Sequence, residues 1–378
     1  MSVVLMAVAL AASSAAVSAR PSGPKVAAEP KVAAEQKIAA GPRVEVAFVL
    51  DTTGSMGGLI EGAKRRIWSI ARRIGEGRPR PDLRIALVAY RDIGDAYVTR
   101  TYDFTGDMDE VFAHLSEFRA EGGGDGPEHV SAAMHDAVHR LTWSSGNSLR
   151  MIVLVGDAPP HLDYQDGFDY RRHVGEARQR GIVVESIQCG QDVQTAQVWR
   201  EIASAGGGQY AQIDGQGGMP AAVTPVDADL ARLNGELAAT VVAGGSVAEQ
   251  AGIARRLEAR KAMPAPVAAE AAAYFADAGR LAANDLVDLP AAEQKKEIDK
   301  LQRAGAAPAS VKGKSAEEAV AYLQAQKARR AELQARIQTL QKQRERFLRA
   351  QPGATADAFD EKVVQNLRQQ AAEQGIRY

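Results

Sequence analysis

The sequence holds one cysteine, few aromatic residues, almost no net charge and no long apolar run. A lone Cys189 excludes an intrachain disulfide and any cysteine-built metal cluster. It sits in an apolar, strand-like run, residues 181–190, where a buried, inert thiol is expected. Aromatics are 5% of the 378 residues while alanine is abundant, so part of the chain is expected to be helix with modest side-chain burial. A formal net charge of -1 gives no general case for nucleic acid or for an acidic partner. Residues 3–17 are apolar and alanine-rich but fall short of the ~20 residues that span a bilayer, so no integral membrane span is expected in the mature chain. Val17-Ser18-Ala19 follows, a small-residue pattern compatible with cleavage after Ala19. Residues 1–19 therefore read as a signal peptide and the protein as exported, periplasmic or secreted, although no Lys or Arg precedes the apolar run. The alternative is a disordered cytosolic tail.

Residues 20–42 repeat a six-residue unit (25–30, 31–36, 37–42) of Lys, small apolar residues and Glu or Gly, closed by Pro or Gln. That is a disordered tether that need not pack a core. With 25% charged and 46% hydrophobic residues, the rest has ordinary globular composition and length for one large core plus something else.

Residues 44–50 are almost unbroken apolar, with Val44, Val46 and Val49 β-branched, which predicts a strand covered on both faces. The run stops at Asp51-Thr52-Thr53-Gly54-Ser55. Glycines 54, 57 and 58 allow a sharp turn, and helical spacing follows over 59–75. Strands are further expected over 83–92, 97–104 (an antiparallel edge strand), 149–157, 182–188 and 209–213. Helices are expected over 108–118, from Pro127 to Leu141, over 170–180 and over 195–205. This alternation argues for an α/β domain, residues 43–215, with a doubly wound, mostly parallel sheet flanked by helices.

Asp51, Thr53 and Ser55, then Asp125 and Glu128, then Asp157 all fall after strands or just before helices, at what should be one edge of the sheet, where such folds bind ligands. Carboxylates gathered there without basic neighbours repel one another, and a divalent cation relieves that repulsion. Oxygen-only donors favour magnesium, with calcium or manganese as alternatives. The hydroxyls can bond the cation directly and the Asp residues through water, leaving one position for an outside oxygen. No positioned base or nucleophile accompanies the set, which points to binding rather than catalysis. The competing explanation for Asp51, Thr53 and Ser55 is a helix cap.

These pieces, together with residues 122–128 (Gly-Gly-Gly-Asp-Gly-Pro-Glu) and Leu154-Val155-Gly156-Asp157-Ala158-Pro159-Pro160-His161, resemble a von Willebrand factor A domain of bacterial type over residues 44–213. The resemblance implies a metal-ion-dependent adhesion site in which Asp51, Thr53, Ser55 and Asp157 match the family positions. The family's second-loop threonine has no counterpart, since no Thr lies between Gly122 and Val130, and Asp125 or Glu128 would substitute. The implied function is capture of a protein partner through a metal-coordinated carboxylate.

His135 and His139 stand four apart on one helix face. The spacing is that of a zinc hydrolase pattern, but Asp136 replaces the usual Glu and no third ligand is evident. The competing view is the polar side of a helix whose apolar side is Val130, Ala133, Met134, Ala137, Val138 and Leu141. His161 lines the crevice rim or packs a loop. Tyr164, Phe168 and Tyr170 either contact partners or anchor a solvated loop.

Beyond a linker at 215–220, Ala, Glu, Gln, Arg and Lys dominate. Helices are expected over 223–243, 247–262, 267–286, 291–304 and 316–350, making residues 216–378 a mainly helical region. Leu333, Ile337, Leu340 and Phe347 form a short coiled-coil-like seam, either closing a helical hairpin or mediating self-association. The mixed charges of 327–349 predict a solvated face rather than nucleic-acid binding. A scaffold acting mainly through this region, or a zinc hydrolase using His135 and His139, are the alternatives to metal-dependent protein binding.

Overall fold

The structure is a computed structural model that describes residues 42–124, 126–146, 148–215, 223–278, 280–350 and 359–378. The expected signal peptide, all but the last residue of the tether, and Asp125 lie outside these residues.

Strand β1 (Arg43–Asp51) is buried along nearly its whole length, as its apolar run requires of a strand at the centre of a sheet. β2 (Asp82–Tyr90) and β4 (Ser148–Gly156) pair with it in parallel on either side. β3 (Thr99–Thr105) adds antiparallel beyond β2, and β5 (Val183–Cys189) and β6 (Gly207–Ile213) continue beyond β4. The six strands run in the order β3-β2-β1-β4-β5-β6. The chain thus changes direction across the sheet between β1 and β4, and a crevice opens at their C-terminal ends.

Side chains alternate across β1. Val44, Val46, Phe48 and Leu50 face α1 (Gly57–Gly75) and α2 (Met108–Glu117). Ala47 and Val49 face α3 (Val130–His139), α4 (Tyr170–Gln179) and α5 (Val193–Gly206). Cys189 is buried. Helix α3 begins three residues later than Pro127 suggested. The Glu128 amide donates to Pro159 O at 2.9 Å and the His129 ring accepts from the Ala132 amide, so the helix starts only after that cap.

The C-terminal region comprises α6 (Asp227–Ala238), α7 (Val247–Lys261), α8 (Ala265–Asp277), α9 (Ala291–Arg303), α10 (Ala316–Arg349) and α11 (Phe359–Glu373). The helices expected over 223–243 and 267–286 are shorter, and α11 was not anticipated. The region shares one core with the α1 face of the sheet. α8 packs on α1 with its alanines 268, 269, 271, 272 and 273 all buried, contrary to the modest burial expected of an alanine-rich helix. Leu333 and Ile337 are buried in that same core, where α10 runs along α6 and α8. That contact takes the place of the expected hairpin seam. Among the described residues no helix is long and apolar enough to cross a membrane.

Candidate metal centre

The β1 register carries Leu50 to the level of Val155, which sets Asp51 beside the end of β4 and the Asp157 that follows it. Asp51 is fully buried; its Oδ1 accepts from the Thr53 amide at 2.9 Å and from the Thr53 hydroxyl at 2.6 Å. Thr53 Oγ1 stands 3.4 Å from Ser55 Oγ. Thr53 is buried while Gly54 and Ser55 are exposed, so the hydroxyl pair leads from the interior to the surface. These hydroxyls do not cap the helix that follows: neither the short turn Gly54–Met56 nor α1 has a side-chain cap.

The glycine loop packs over this turn, with the Gly54 amide donating to Gly122 O at 3.1 Å and the Glu121 amide to Thr52 O at 3.2 Å. Gly123 has φ +78°, and a Cβ there would lie 3.2 Å from both Glu128 Oε1 and Thr53 Cβ, which places the Glu128 carboxylate next to Thr53. Glu128 is itself buried, held by its bridge to Pro160. At the third loop, Thr195 Oγ1 donates to Asp157 O at 3.2 Å and fixes the backbone where β4 ends. The structure thus brings Asp51, Thr53, Ser55, Glu128 and Asp157 to one crevice.

Three further residues belong to the centre that the sequence alone did not single out. Asp95 accepts from the Gly123 amide at 3.1 Å and occupies the space a Cβ on Gly122 would need, so it clamps the glycine loop. Asp92 is buried and accepts from the Tyr164 hydroxyl at 2.6 Å. Arg91 overturns the expectation of carboxylates without a basic neighbour. Its guanidinium is committed to backbone carbonyls, donating to Thr52 O at 3.1 Å and Arg119 O at 2.8 Å. It therefore braces the first two loops while lending Asp51 only a distant charge.

The electrostatics follow from this crowding. Burial pushes the Asp51 carboxyl up to about 7, the Thr53 hydroxyl and amide opposing the rise and the charge of Asp157 adding to it. Glu128 is pushed up to about 9, by burial first and then by Asp51, Asp92, Asp95 and Asp157. Asp51 Oδ2 and Glu128 Oε2 are both buried without a hydrogen-bond partner, a costly condition for carboxylates. A hard divalent cation satisfies both, and the donors present (carboxylate and hydroxyl oxygens) are of the type such ions take. The residues fit the ion.

His161 stacks on Tyr164 with ring centres 4.1 Å apart and donates from Nδ1 to Asp163 Oδ1 at 2.8 Å. Tyr164 is thereby pinned over Asp92. Tyr170 is buried in the core, and Phe168 is partly exposed beside His135.

A mostly parallel α/β sheet with an acidic and hydroxylic crevice at the ends of β1 and β4 is the architecture of a metal-site domain. Residues 45–214 match the family model of the von Willebrand factor A domain, and the chain carries that domain. Among its relatives, an alpha-protein kinase of Dictyostelium discoideum is 33% identical over 120 residues, 31% of this chain and 19% of the relative. The von Willebrand factor A domain-containing protein 7 of Rattus norvegicus is 40% identical over 100 residues, 26% of this chain and 10% of the relative. The chain therefore spans a fifth or less of either. A solved structure of mussel byssus proximal thread matrix protein 1, with zinc in its MIDAS motif, aligns at 13% identity and a TM-score of 0.37, over 45% of this chain and 41% of that one.

Proposed function

We propose that this chain is an exported, divalent-cation-dependent protein-binding module, in which Asp51, Thr53, Ser55, Glu128 and Asp157 hold the ion and a partner protein supplies an oxygen ligand to it. The observation that supports this most directly is the pair of buried, unpartnered oxygens on Asp51 and Glu128. When bound, the cation would supply the positive charge that a partner carboxylate requires. The chain's own residues do the rest. Asp51 and Glu128 provide charge from within, Thr53 orients Asp51, and exposed Ser55 marks the side from which a partner reaches the centre. Magnesium is the ion proposed, with calcium or manganese as alternatives, because every donor is a hard oxygen.

This reading is of binding, not catalysis. The hydrolase alternative lacks a base, since Asp136 is buried and already accepts from Thr99 Oγ1 at 2.7 Å, Arg140 Nη1 at 2.9 Å and the His135 ring at 3.0 Å. Self-association, if the C-terminal helices mediate it, falls to the half-buried Leu340 and Phe347.

The test is magnesium titration into the metal-stripped full chain, with capture of partners from envelope extract in magnesium and in EDTA. Asp51→Ala and Asp157→Ala are expected to weaken magnesium binding by about 100-fold or more and to abolish capture, as EDTA does. Capture that survives both EDTA and Asp51→Ala would sink the proposal. Export is checked separately by N-terminal sequencing of the protein recovered outside the cytoplasm, with Arg20 expected first.

A further inference from the structure

A second group of ligand atoms lies on α3 and α4, the helices that cover the sheet face opposite α1. His135 and His139, one turn apart on α3, have ring centres 5.0 Å apart. His173 on α4 brings its ring within 5.1 Å of His135 and 5.6 Å of His139. Glu176, one turn further along α4, sets Oε2 2.7 Å from His139 Nε2 and 3.0 Å from His173 Nδ1. One ligand atom from each of His139, His173 and Glu176 lies within 4.8 Å of the other two. The missing third ligand of the His135/His139 pair is therefore supplied by a different helix, 34 and 37 residues further along the chain than His139.

We propose that His139, His173 and Glu176, with His135 as fourth donor, form a site for a divalent transition metal of the zinc class, separate from the centre at Asp51.

The distances are within reach of a metal site. Zinc bonds nitrogen and carboxylate oxygen at about 2.0–2.2 Å, so tetrahedral ligand atoms stand about 3.3 Å apart. Glu176 Oε2 has to withdraw by a few tenths of an ångström from each ring, and the ring nitrogens, within 4.8 Å of each other, have to settle at that spacing. In the metal-free form one carboxylate oxygen bridges two imidazoles, and the ring protons occupy the place the metal would take.

His135 Nδ1 lies 3.0 Å from Asp136 Oδ1, and Asp136 is itself anchored by Thr99 and Arg140. A carboxylate on the far nitrogen is the usual support for a metal-bound imidazole, leaving Nε2 as the donor. His173 is buried and rigidly placed, while His139 and Glu176 are each exposed by about a third, so an ion can enter from solvent. The opposing group is Arg172, with Nη2 3.4 Å from His173 Nε2 and Nε 3.8 Å from Glu176 Oε1. Its side chain is half exposed and already donates to Gly167 O at 3.0 Å, so it can withdraw towards that carbonyl.

Donor chemistry separates the two sites. Three imidazoles and one carboxylate select zinc, nickel or copper, whereas the oxygens around Asp51 select magnesium, calcium or manganese. The ion would also tie α3, which starts just after Glu128, to α4, which starts after the Asp157 loop.

The test uses full-length protein carrying Asp51→Ala, so that zinc at the first centre cannot contribute. Zinc binding is followed by calorimetry, and cobalt(II) by the visible d–d absorption of a four-coordinate ion. Asp51→Ala is expected to bind one equivalent of zinc that excess magnesium does not displace, and to give the cobalt spectrum. Adding His139→Ala, or Glu176→Gln, is expected to weaken zinc by about ten-fold or more and to abolish the spectrum, with the circular dichroism unchanged. The proposal is overturned if Asp51→Ala binds no zinc, or if both second substitutions leave zinc affinity intact.

Discussion

At the scale of single residues, the centre is defined by carboxylates that the fold keeps from water and from counter-charge. A carboxyl whose folded pKa is raised contributes stability below its ordinary range, and that contribution is lost as pH rises through the folded value. The windows are those ending at about 7 for Asp51 and about 9 for Glu128. The metal-stripped protein is therefore expected to melt at a lower temperature at about pH 9 than at about pH 6. A divalent cation prefers the ionised carboxylates, so its affinity should climb over the same interval and its binding should release protons. Calorimetry in buffers of differing ionisation enthalpy measures that release, and none at neutral pH would contradict the assignment. Glu128→Gln should raise the metal-free melting temperature at neutral pH, by removing a carboxyl that has to take up a proton on folding, while weakening the divalent ion by about ten-fold or more. Asp51, Thr53, Ser55 and Asp157 were legible in the sequence because they end apolar strands. Asp92, Asp95 and Arg91 were not, although they follow directly on β2. Asp95 and Arg91 act on backbone groups at Gly123 and Arg119, and Asp92 on the Tyr164 hydroxyl, contacts that no local spacing discloses.

At the scale of elements, strands and helices of the α/β domain followed from alternation and apolar runs, whereas the C-terminal helices followed only in outline. Their apolar residues are sparse because buried arginines do some of the fastening. Arg260 of α7 is fully buried; Nε donates to Asp109 Oδ1 at 3.1 Å, Nη2 donates to Asp109 Oδ2, and the guanidinium lies 3.4 Å from the centre of the Phe275 ring. Arg330 of α10 binds Asp285 and Asp288 at 2.6 Å each, and Arg344 binds Asp227 at 2.8 Å and Glu270 at 2.7 Å. In the sequence Arg330 and Arg344 fall within residues 327–349, which look like a solvated charged face, whereas both are buried. Arg260→Ala strands Asp109 in the interior and is expected to cost about 3–5 kcal/mol in urea unfolding. Arg260→Met keeps the packed stem but strands Asp109 equally, so it should lose nearly as much, and a clearly smaller loss would argue against the ion pair as the cause. The stripe Val363, Val364, Leu367 and Ala371 of α11 was present in the sequence at helical spacing, and all four are buried.

At the scale of the whole molecule, the helical region is the second wall of the core, not an appendage. α8 lies on α1, where Tyr274 and Phe275 pack on Trp68, and α11 closes on β4, β6 and α1, with Asn366 donating to buried Glu185 at 2.8 Å. Removing residues 223–378 would open the α1 face of the sheet to water. The truncated chain is expected to be insoluble or to bind a hydrophobic dye strongly, and a monomeric, cooperatively melting fragment would show otherwise. One more consequence attaches to β1, which enters the sheet at Arg43 and ends at Asp51 between two parallel neighbours. A partner held at Asp51 and a chain leading in through Pro42 grip this strand at opposite ends, roughly 27 Å apart at ~3.3 Å per residue. Tension between them pulls along the strand. With both grips on one strand, the covalent backbone of β1 carries that tension, and the hydrogen bonds to β2 and β4 need not break for the load of tethered capture to be borne.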